Sequence, residues 1–274
     1  MERLPGALQP DQCSEGWDDH VDVYEAVFES FTLALAEVAI ARLALQQGNR
    51  VLDVGAGAGG AALLLARRGM TATAIDGSQG MVARIRERAA AEGLAVEAQV
   101  MDGQALGPPD ASFDAALSVA GVILFPDADK GMSEIHRVLK PGGRVAIVAW
   151  TQPENYEIGV TLGEAALSVW PDMPQSPLPP QLRFKDEPDF RALFTKAGFP
   201  EPHIEAMTAL LRVPSAGWLA ERIAFAPGIA AVMSRLGERQ PAVMSAFVER
   251  LEAAHGAGEL ASPGVAFIGS AIKA

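Results

Sequence analysis

The feature that most constrains this chain is a glycine-rich turn directly after a short apolar segment. The sequence VLDVGAGAGG covers residues 51–60 and leads into a helical pattern. Glycine at such a bend lets the backbone approach a ligand closely, where side chains would collide. The segment therefore predicts a buried strand, a tight turn with a ligand beside it, and a helix.

Short apolar segments alternate with helical patterns on both sides of this turn. Their spacing predicts strands at 50–54, 71–76, 95–101, 113–119 and 144–150, and helices at 58–68, 78–92 and 128–139. Strands separated by helices pair in parallel through right-handed crossovers. We expect an α/β fold with a doubly wound, Rossmann-like, mostly parallel sheet.

The flanking regions predict helical additions and further strands. A helical pattern at 17–47 precedes the first strand, and a last strand at 264–273, expected to be antiparallel, closes the chain. We expect six parts, which are an N-terminal segment and helix over the ligand site (1–48), the core (49–151), an insertion or cap (152–186), a core continuation of helix and strand (187–213), a second helical cap (214–262) and the last core strand (263–274).

The composition argues against several classes of protein. The formal net charge is −12, which disfavours a nucleic-acid partner. The longest apolar stretch, 115–125, is shorter than the roughly 20 residues that span a bilayer, so we expect neither a membrane anchor nor a membrane partner. A single cysteine, Cys13, fits a cytoplasmic protein without an internal disulfide. The four histidines are far apart and predict no metal site.

Asp53, two residues ahead of Gly55, distinguishes this turn from a general nucleotide fingerprint. The spacing Gly55-x-Gly57-x-x-Gly60 alone also fits a dinucleotide site and is a weak signal. The D-x-G-x-G block resembles motif I of class I S-adenosylmethionine (SAM)-dependent methyltransferases. The resemblance implies that Gly55, Ala56 and Gly57 lie along the amino-acid part of SAM, and that Asp53 helps position its ammonium end.

Acidic residues also end the second and third predicted strands. Asp76 lies about 20 residues past the glycines, where a carboxylate accepts from ribose hydroxyls; its alternative role as a helix N-cap suits Ser78 better. The resemblance implies that Asp102 accepts from the adenine amine, and a turn cap is the alternative. The other implied cofactor contacts are Gly77, Ser78, Met81, Met101, Gly103 and Ser118, with core packing the alternative for Met81.

The segments 112–127 and 134–150 are similar to the fourth strand and the helix–PGG–strand signature of the ubiquinone and menaquinone biosynthesis methyltransferases. This resemblance covers about 51–150 and says little about the insertions. DNA amino-methyltransferases carry an Asn/Asp-Pro-Pro-aromatic block where this chain has Ser118-Val119-Ala120-Gly121. A nucleobase amine is therefore disfavoured as the methyl acceptor.

We expect the acceptor to be a small, hydrophobic or aromatic molecule. Its pocket is predicted from Trp17, Tyr24, Phe125 and Trp150, with the insertion residues Trp170, Phe184 and Trp218, and plain core packing is the alternative for each. His20, beside Trp17, is the candidate general base, although a solvated or core histidine is the stronger interpretation.

The sequence thus predicts a SAM-dependent methyltransferase that acts on a small molecule by in-line displacement. One alternative is an NAD(P)-dependent oxidoreductase, although neither Tyr24 nor Tyr156 begins the Tyr-x-x-x-Lys motif of the short-chain dehydrogenases. Another is a protein that binds SAM without turnover. A monomer and a homodimer both remain open.

Overall fold

The computed structural model describes residues 12–174, 179–225 and 227–274, so parts of the predicted segments 1–48, 152–186 and 214–262 lie outside it. A seven-stranded sheet with the order β3-β2-β1-β4-β5-β7-β6 forms its centre. The strands are β1 (Arg50–Val54), β2 (Thr71–Asp76), β3 (Val96–Val100), β4 (Phe113–Val119), β5 (Leu139–Trp150), β6 (His203–Val213) and β7 (Leu260–Ile272).

The sheet is parallel except around its last strand. β1 pairs in parallel with β2 and β4, β2 with β3, and β4 with β5. β7 runs antiparallel to both β5 and β6. The predicted fold class, including the antiparallel last strand, is confirmed.

Helices cover both faces of the sheet, which is why its central strands are apolar on both sides. The helices are α1 (Val21–Tyr24), α2 (Ser30–Arg42), α3 (Gly60–Arg67), α4 (Gln79–Glu92), α5 (Ala128–Val138), α6 (Glu157–Val169), α7 (Glu187–Lys196), α8 (Ala216–Ala220), α9 (Pro227–Leu236) and α10 (Gln240–His255). On β1, Val51 packs into the core on one face, whereas Leu52 and Val54 pack into the core on the other. Within the described ranges, no helix combines the length and the apolar character that a membrane crossing requires.

The N-terminal helical region differs from the single helix predicted at 17–47. It begins with a 3-10 helix at Ser14–His20, continues through α1 into a π-helix at Glu25–Glu29, and ends with α2 at Arg42. Arg88 of α4 forms ion pairs with Glu25 at 2.9 Å and with Glu29 at 2.5 Å, which fastens the π-helical turn to the core. The helix stops early because Ala44 adopts a positive φ of 46°.

Two strands are longer than the sequence indicated. The Pro141-Gly142-Gly143 segment lies inside β5, where Gly142 has a φ of 76° and its N–H donates to the Lys273 carbonyl at 2.8 Å. β7 begins at Leu260 because it pairs along the whole length of β6. The predicted helical breaks near 227–228 and 241 coincide with the starts of α9 and α10.

Candidate active site

The glycine turn after β1 is held against β2 and against the segment that follows β4. The N–H groups of Gly55 and Ala56 both donate to the Ile75 carbonyl, at 2.9 and 3.0 Å. Gly55 has a φ of 68°, and a Cβ there would lie 2.8 Å from the Gly121 Cα. Only glycine fits this position without strain, so the backbone leaves an open cradle at the carboxyl ends of the strands.

Asp76, the last residue of β2, ties this turn to the next helix. Its Oδ2 accepts from the Gly57 N–H and its Oδ1 from the Ser78 N–H, both at 2.9 Å. Burial raises the pKa of Asp76, whereas these two hydrogen bonds lower it. The carboxyl group therefore spans the gap between the two turns that border the predicted nucleoside position.

Asp53 is a buried carboxyl group with one oxygen left free. Only 1% of the residue is exposed, and its Oδ2 has no hydrogen-bond partner among the described residues. Burial and then the negative charge of Asp76 raise the pKa of Asp53 from 3.8 to about 7, although a hydrogen bond from the Ala62 N–H lowers it. A small cavity of about 20 Å³ lies beside Asp53 and is also lined by Tyr24 and Glu29. A buried carboxyl group in this setting favours a cationic partner.

The third predicted carboxylate has a local partner. Asp102 Oδ1 accepts from the backbone and side-chain N–H groups of Gln104, at 2.8 and 3.0 Å, which is the turn cap that was the alternative for this residue. Gly103 is buried at a position where a Cβ would collide with the ring of Phe125. Asp102, Gly103 and Met101 nevertheless line the same cavity as Asp76.

A cavity of about 1340 Å³ opens along these strand ends. It exceeds the 300–1,000 Å³ that is usual for one small ligand, so it has room for two. Asp76, Asp102 and Glu154 are its charged lining residues, and among the described residues no lysine, arginine or histidine lines it. The cavity therefore suits a cationic ligand at one end and an uncharged one elsewhere.

The four aromatic residues predicted for the acceptor all line this cavity. Trp17 and Tyr24 meet edge to face with ring centroids 6.4 Å apart, and Trp150 stacks on Phe31 at 5.6 Å. Burial raises the pKa of Tyr24 to about 12, and its hydroxyl lies 3.4 Å from Thr32 Oγ1. Of the predicted cofactor contacts, Gly55, Gly57, Gly77 and Met81 line the cavity too, while Ala56 lines the small cavity beside Asp53.

Several predicted site residues have internal roles instead. Ser78 caps α4 by accepting from the Met81 N–H, and it donates to Asp18 Oδ1 at 2.5 Å. Ser118 is fully buried, donating to the Val54 carbonyl and accepting from the Val122 N–H. Neither side chain lines the cavity, and His20 does not line it either.

The three aromatic residues expected from the insertions do not reach the cavity. Arginine side chains cover each ring instead, with Arg239 over Trp170 at 4.6 Å, Arg183 over Phe184 at 5.0 Å and Arg222 over Trp218 at 4.5 Å. Expecting these rings in the pocket was wrong, because Phe184 is a buried core residue and Trp170 and Trp218 pack, partly buried, against the core, which was the alternative for each.

Sequence reasoning missed much of the far wall. Additional lining residues come from the chain after β5 and from later segments, and they include Thr151, Gln152, Tyr156, Gln181, Leu182 and Val265. The sequence indicated these residues only weakly. The one indication was that some of them follow a parallel strand, and ligands bind at the carboxyl ends of such strands. Across the described residues, no group of three or more His, Cys, Asp or Glu residues is arranged to hold a metal ion.

Residues 51–143, from the start of β1 into β5, match the model of a family described as a methyltransferase domain. The demethylmenaquinone methyltransferase of Thermus thermophilus is 36% identical over 121 residues, which are 43% of this chain and 55% of that protein. An uncharacterized protein of Mycobacterium tuberculosis is 33% identical over 156 residues, 57% of each chain. The chain spans about half the length of the curated relatives it matches.

The fold extends beyond the matched segment. The structure of a phosphoethanolamine N-methyltransferase of Haemonchus contortus, in complex with phosphomonomethylethanolamine and S-adenosylhomocysteine, superimposes with a TM-score of 0.60. That alignment covers 98% of this chain and 61% of the other, at 20% sequence identity, and so it concerns the fold alone. Together with the matched segment, it confirms the resemblance to class I SAM-dependent methyltransferases.

Proposed function

We propose that this chain, which has the core of a class I SAM-dependent methyltransferase, binds SAM and transfers its methyl group to a small, uncharged and largely apolar molecule. The observation that carries the proposal is that Asp53 at the small cavity and Asp76 at the large cavity flank the glycine turn, and that neither cavity has a basic lining residue among the described residues. Carboxylates attract a cation there, and the apolar remainder of the cavity suits an uncharged acceptor.

The residues present fit the cofactor. The free Oδ2 of Asp53 can accept from an ammonium group, and the cradle at Gly55 gives a ligand access to the backbone. Asp76 keeps lone pairs for ribose hydroxyls beside the two N–H groups that it already binds. Met101 and Gly103 offer flat contacts for an adenine ring, next to the carboxylate of Asp102.

When bound, SAM would supply an electrophilic methyl group, which a nucleophile of the acceptor attacks in line while the bond from the methyl carbon to the sulfonium sulfur breaks and leaves a neutral thioether. The contribution of the chain is to align the acceptor and exclude water. Trp17, Tyr24 and Trp150 provide apolar surface for both purposes. His20, the candidate base, does not line the cavity, and we assign no side-chain base.

The NAD(P)-dependent alternative fits the turn less well. A pyrophosphate needs free N–H groups at the glycine turn, whereas the Gly57 N–H donates to the Asp76 carboxylate at 2.9 Å. The buried carboxyl group of Asp53 and the half-buried one of Asp76 would also repel the diphosphate, and no basic side chain of the described residues lines the cavity to offset them. The oxidoreductase is therefore the weaker candidate.

Replacing Asp76 tests the proposal. In Asp76→Asn one carboxylate oxygen becomes an NH₂ group, which cannot accept from one of the two backbone N–H groups that Asp76 binds. We therefore expect SAM to bind about 10–100-fold more weakly in isothermal titration calorimetry. Asp114→Asn is the matched control, because Asp114 accepts from the Arg50 N–H at the opposite end of the sheet. We expect Asp114→Asn to bind SAM like the wild type.

Two outcomes would overturn the proposal. The first is a folded wild-type protein that takes up NADH but no SAM, judged by calorimetry and thermal shift. The second is SAM binding that Asp76→Asn leaves unchanged. Incubation with methyl-labelled SAM and a pool of small metabolites then separates a transferase, which labels a product, from a protein that only binds SAM.

A further inference from the structure

Tyr156 occupies a fixed position in the wall of the cavity. It follows β5 by six residues and directly precedes α6, and its backbone forms an isolated antiparallel bridge to Gly264 of β7. A Cβ on Gly264 would lie 2.8 Å from both Tyr156 Cδ2 and Phe31 Cζ. The glycine thus makes room for the tyrosine ring and fixes it between β7 and α2.

The hydroxyl of Tyr156 is buried and has no hydrogen-bond partner among the described residues. Leaving such a group unsatisfied is destabilising, and buried polar groups of native proteins are rarely left in this state. The other tyrosine of the cavity, Tyr24, has a neighbour in Thr32 at 3.4 Å. The unpaired phenol therefore needs a partner that the described residues do not provide.

The surroundings of Tyr156 are aromatic. Its ring centroid lies 6.2 Å from that of Trp150 and 6.3 Å from that of Phe31. Burial among these groups raises the pKa of the Tyr156 phenol, so the hydroxyl stays protonated at neutral pH and can donate. Beside the apolar ring of Trp150, this protonated donor favours a ligand with a polar atom at the point where the ligand contacts the Tyr156 hydroxyl.

We propose that the Tyr156 hydroxyl donates a hydrogen bond to an uncharged oxygen, such as a ketone or ether oxygen, of the methyl acceptor and so positions the acceptor. The inference rests on the proposed function in that the acceptor occupies this cavity. An anionic oxygen is disfavoured, because Asp76 and Glu154 line the same cavity and no basic side chain of the described residues does. Tyr156 is thus a positioning residue that sets the acceptor class.

A pair of matched ligands tests this role without knowledge of the natural acceptor. 2-Acetylnaphthalene carries a ketone oxygen, whereas 2-ethylnaphthalene has nearly the same shape and none. Both are titrated into the full chain, and the ratio of their association constants is compared between wild type and Tyr156→Phe. A net hydrogen bond of about 0.5–1.5 kcal/mol predicts that this ratio falls about 2–12-fold when the hydroxyl is removed.

Ser133→Ala is the control, since it also removes one hydroxyl, which donates to the Asp129 carbonyl on the exposed side of α5 and does not line the cavity. We expect it to keep the ligand ratio of the wild type. Tyr156→Phe leaves no other group unpaired, so its melting temperature should equal or exceed that of the wild type. A merely structural tyrosine would lower the melting temperature and leave the ratio unchanged.

The inference is overturned if Tyr156→Phe retains the ratio, if Ser133→Ala loses it equally, or if the wild type binds neither ligand. SAM affinity is measured separately on the same proteins and should stay within about twofold of the wild type in Tyr156→Phe. A wild-type protein that discriminates the two ligands but takes up no SAM would refute the proposed function while supporting the role of Tyr156.

Discussion

The two ends of the cavity are constructed in different ways. The cofactor end consists of turns that directly follow β1, β2 and β3, and its polar contacts are largely backbone N–H groups and carboxyl groups. The acceptor end is assembled from side chains of segments far apart in sequence, including Phe28, Leu124, Trp150, Leu182 and Val265. Local backbone geometry therefore defines the cofactor end, and long-range packing defines the acceptor end.

This difference determines which changes each end tolerates. Positive φ angles and buried carboxyl groups make the cofactor end sensitive to single atoms, as at Gly55 and Asp53. Apolar contacts at the acceptor end are individually weak and interchangeable, so substitutions there shift specificity more readily than folding.

The largest expected effect comes from Gly55→Ala. The substitution places a side chain at a φ of 68° and brings its Cβ within 2.8 Å of the Gly121 Cα, so the turn must move away from its position against the end of β4. We expect SAM binding to fall below detection in calorimetry, together with a loss of more than about 2 kcal/mol of unfolding free energy.

Gly142→Ala separates the contribution of the backbone angle from that of the close approach. Gly142 has a similar φ of 76°, but a Cβ there would meet nothing within 4 Å. It should cost only about 1–2 kcal/mol and leave SAM affinity unchanged. Equal loss of SAM binding in both variants would show that the cofactor end does not depend on its local geometry.

An intermediate effect is expected from Asp53→Asn. An ionised Asp53 attracts the ammonium group of SAM, and its pKa of about 7 means that ionisation occurs near neutrality. Wild-type SAM affinity should therefore rise between pH 5.5 and 7, by up to about tenfold per pH unit, whereas Asp53→Asn should bind weakly with no such slope. A slope that persists in Asp53→Asn would assign the titration to another group.

The same variant should affect stability in the opposite direction. The folded-state pKa of Asp53 is raised from 3.8 to about 7, so the stability contributed by its protonated form is present below pH 3.8 and is lost as the pH rises through 7. Asn cannot ionise. Asp53→Asn should thus melt at a higher temperature than the wild type at pH 8, and this advantage should shrink towards pH 5.

Most of the core fold could be predicted from the sequence because its signals are local. The bounds of β1, β2 and β4 agree with the predicted ones, and Ser78 caps α4 as its position indicated. The π-helix at Glu25–Glu29 could not be predicted, because it depends on ion pairs with Arg88, which lies about 60 residues away in the chain. The extension of β7 likewise depends on its pairing with β6.

The site follows the same division. Gly55, Gly57 and Asp76 lie together at the cavity because each lies at the carboxyl end of a strand of the same parallel sheet. Tyr156 was missed, since its position depends on a glycine of β7 more than 100 residues later. Ser118 was expected at the cofactor, but its hydroxyl satisfies two buried backbone groups, a role that no local pattern indicates.

The smallest effect is expected at the acceptor end, from Arg183→Met. The Arg183 guanidinium donates to the carbonyls of Ile123 and Phe125, so it joins the segment after β4 to the segment around Leu182. Methionine keeps much of the apolar stem but no donor, and a loss of about 1 kcal/mol should lower the melting temperature by about 2–4 °C. SAM affinity should stay within about threefold of the wild type, while 2-ethylnaphthalene should bind more weakly.

Arg191→Met is the control for this substitution. Arg191 of α7 also donates to a backbone carbonyl, that of Pro202 at 2.9 Å, but unlike Arg183, which binds the carbonyl of Phe125 and follows Leu182, it neither binds nor adjoins a cavity-lining residue. It should reduce the melting temperature to a similar extent and leave the affinity for 2-ethylnaphthalene unchanged. If instead both arginine variants weaken 2-ethylnaphthalene binding equally, ligand affinity at the acceptor end depends on the stability of the whole protein rather than on the residues around the cavity. The contrast between the two ends of the cavity would then be lost.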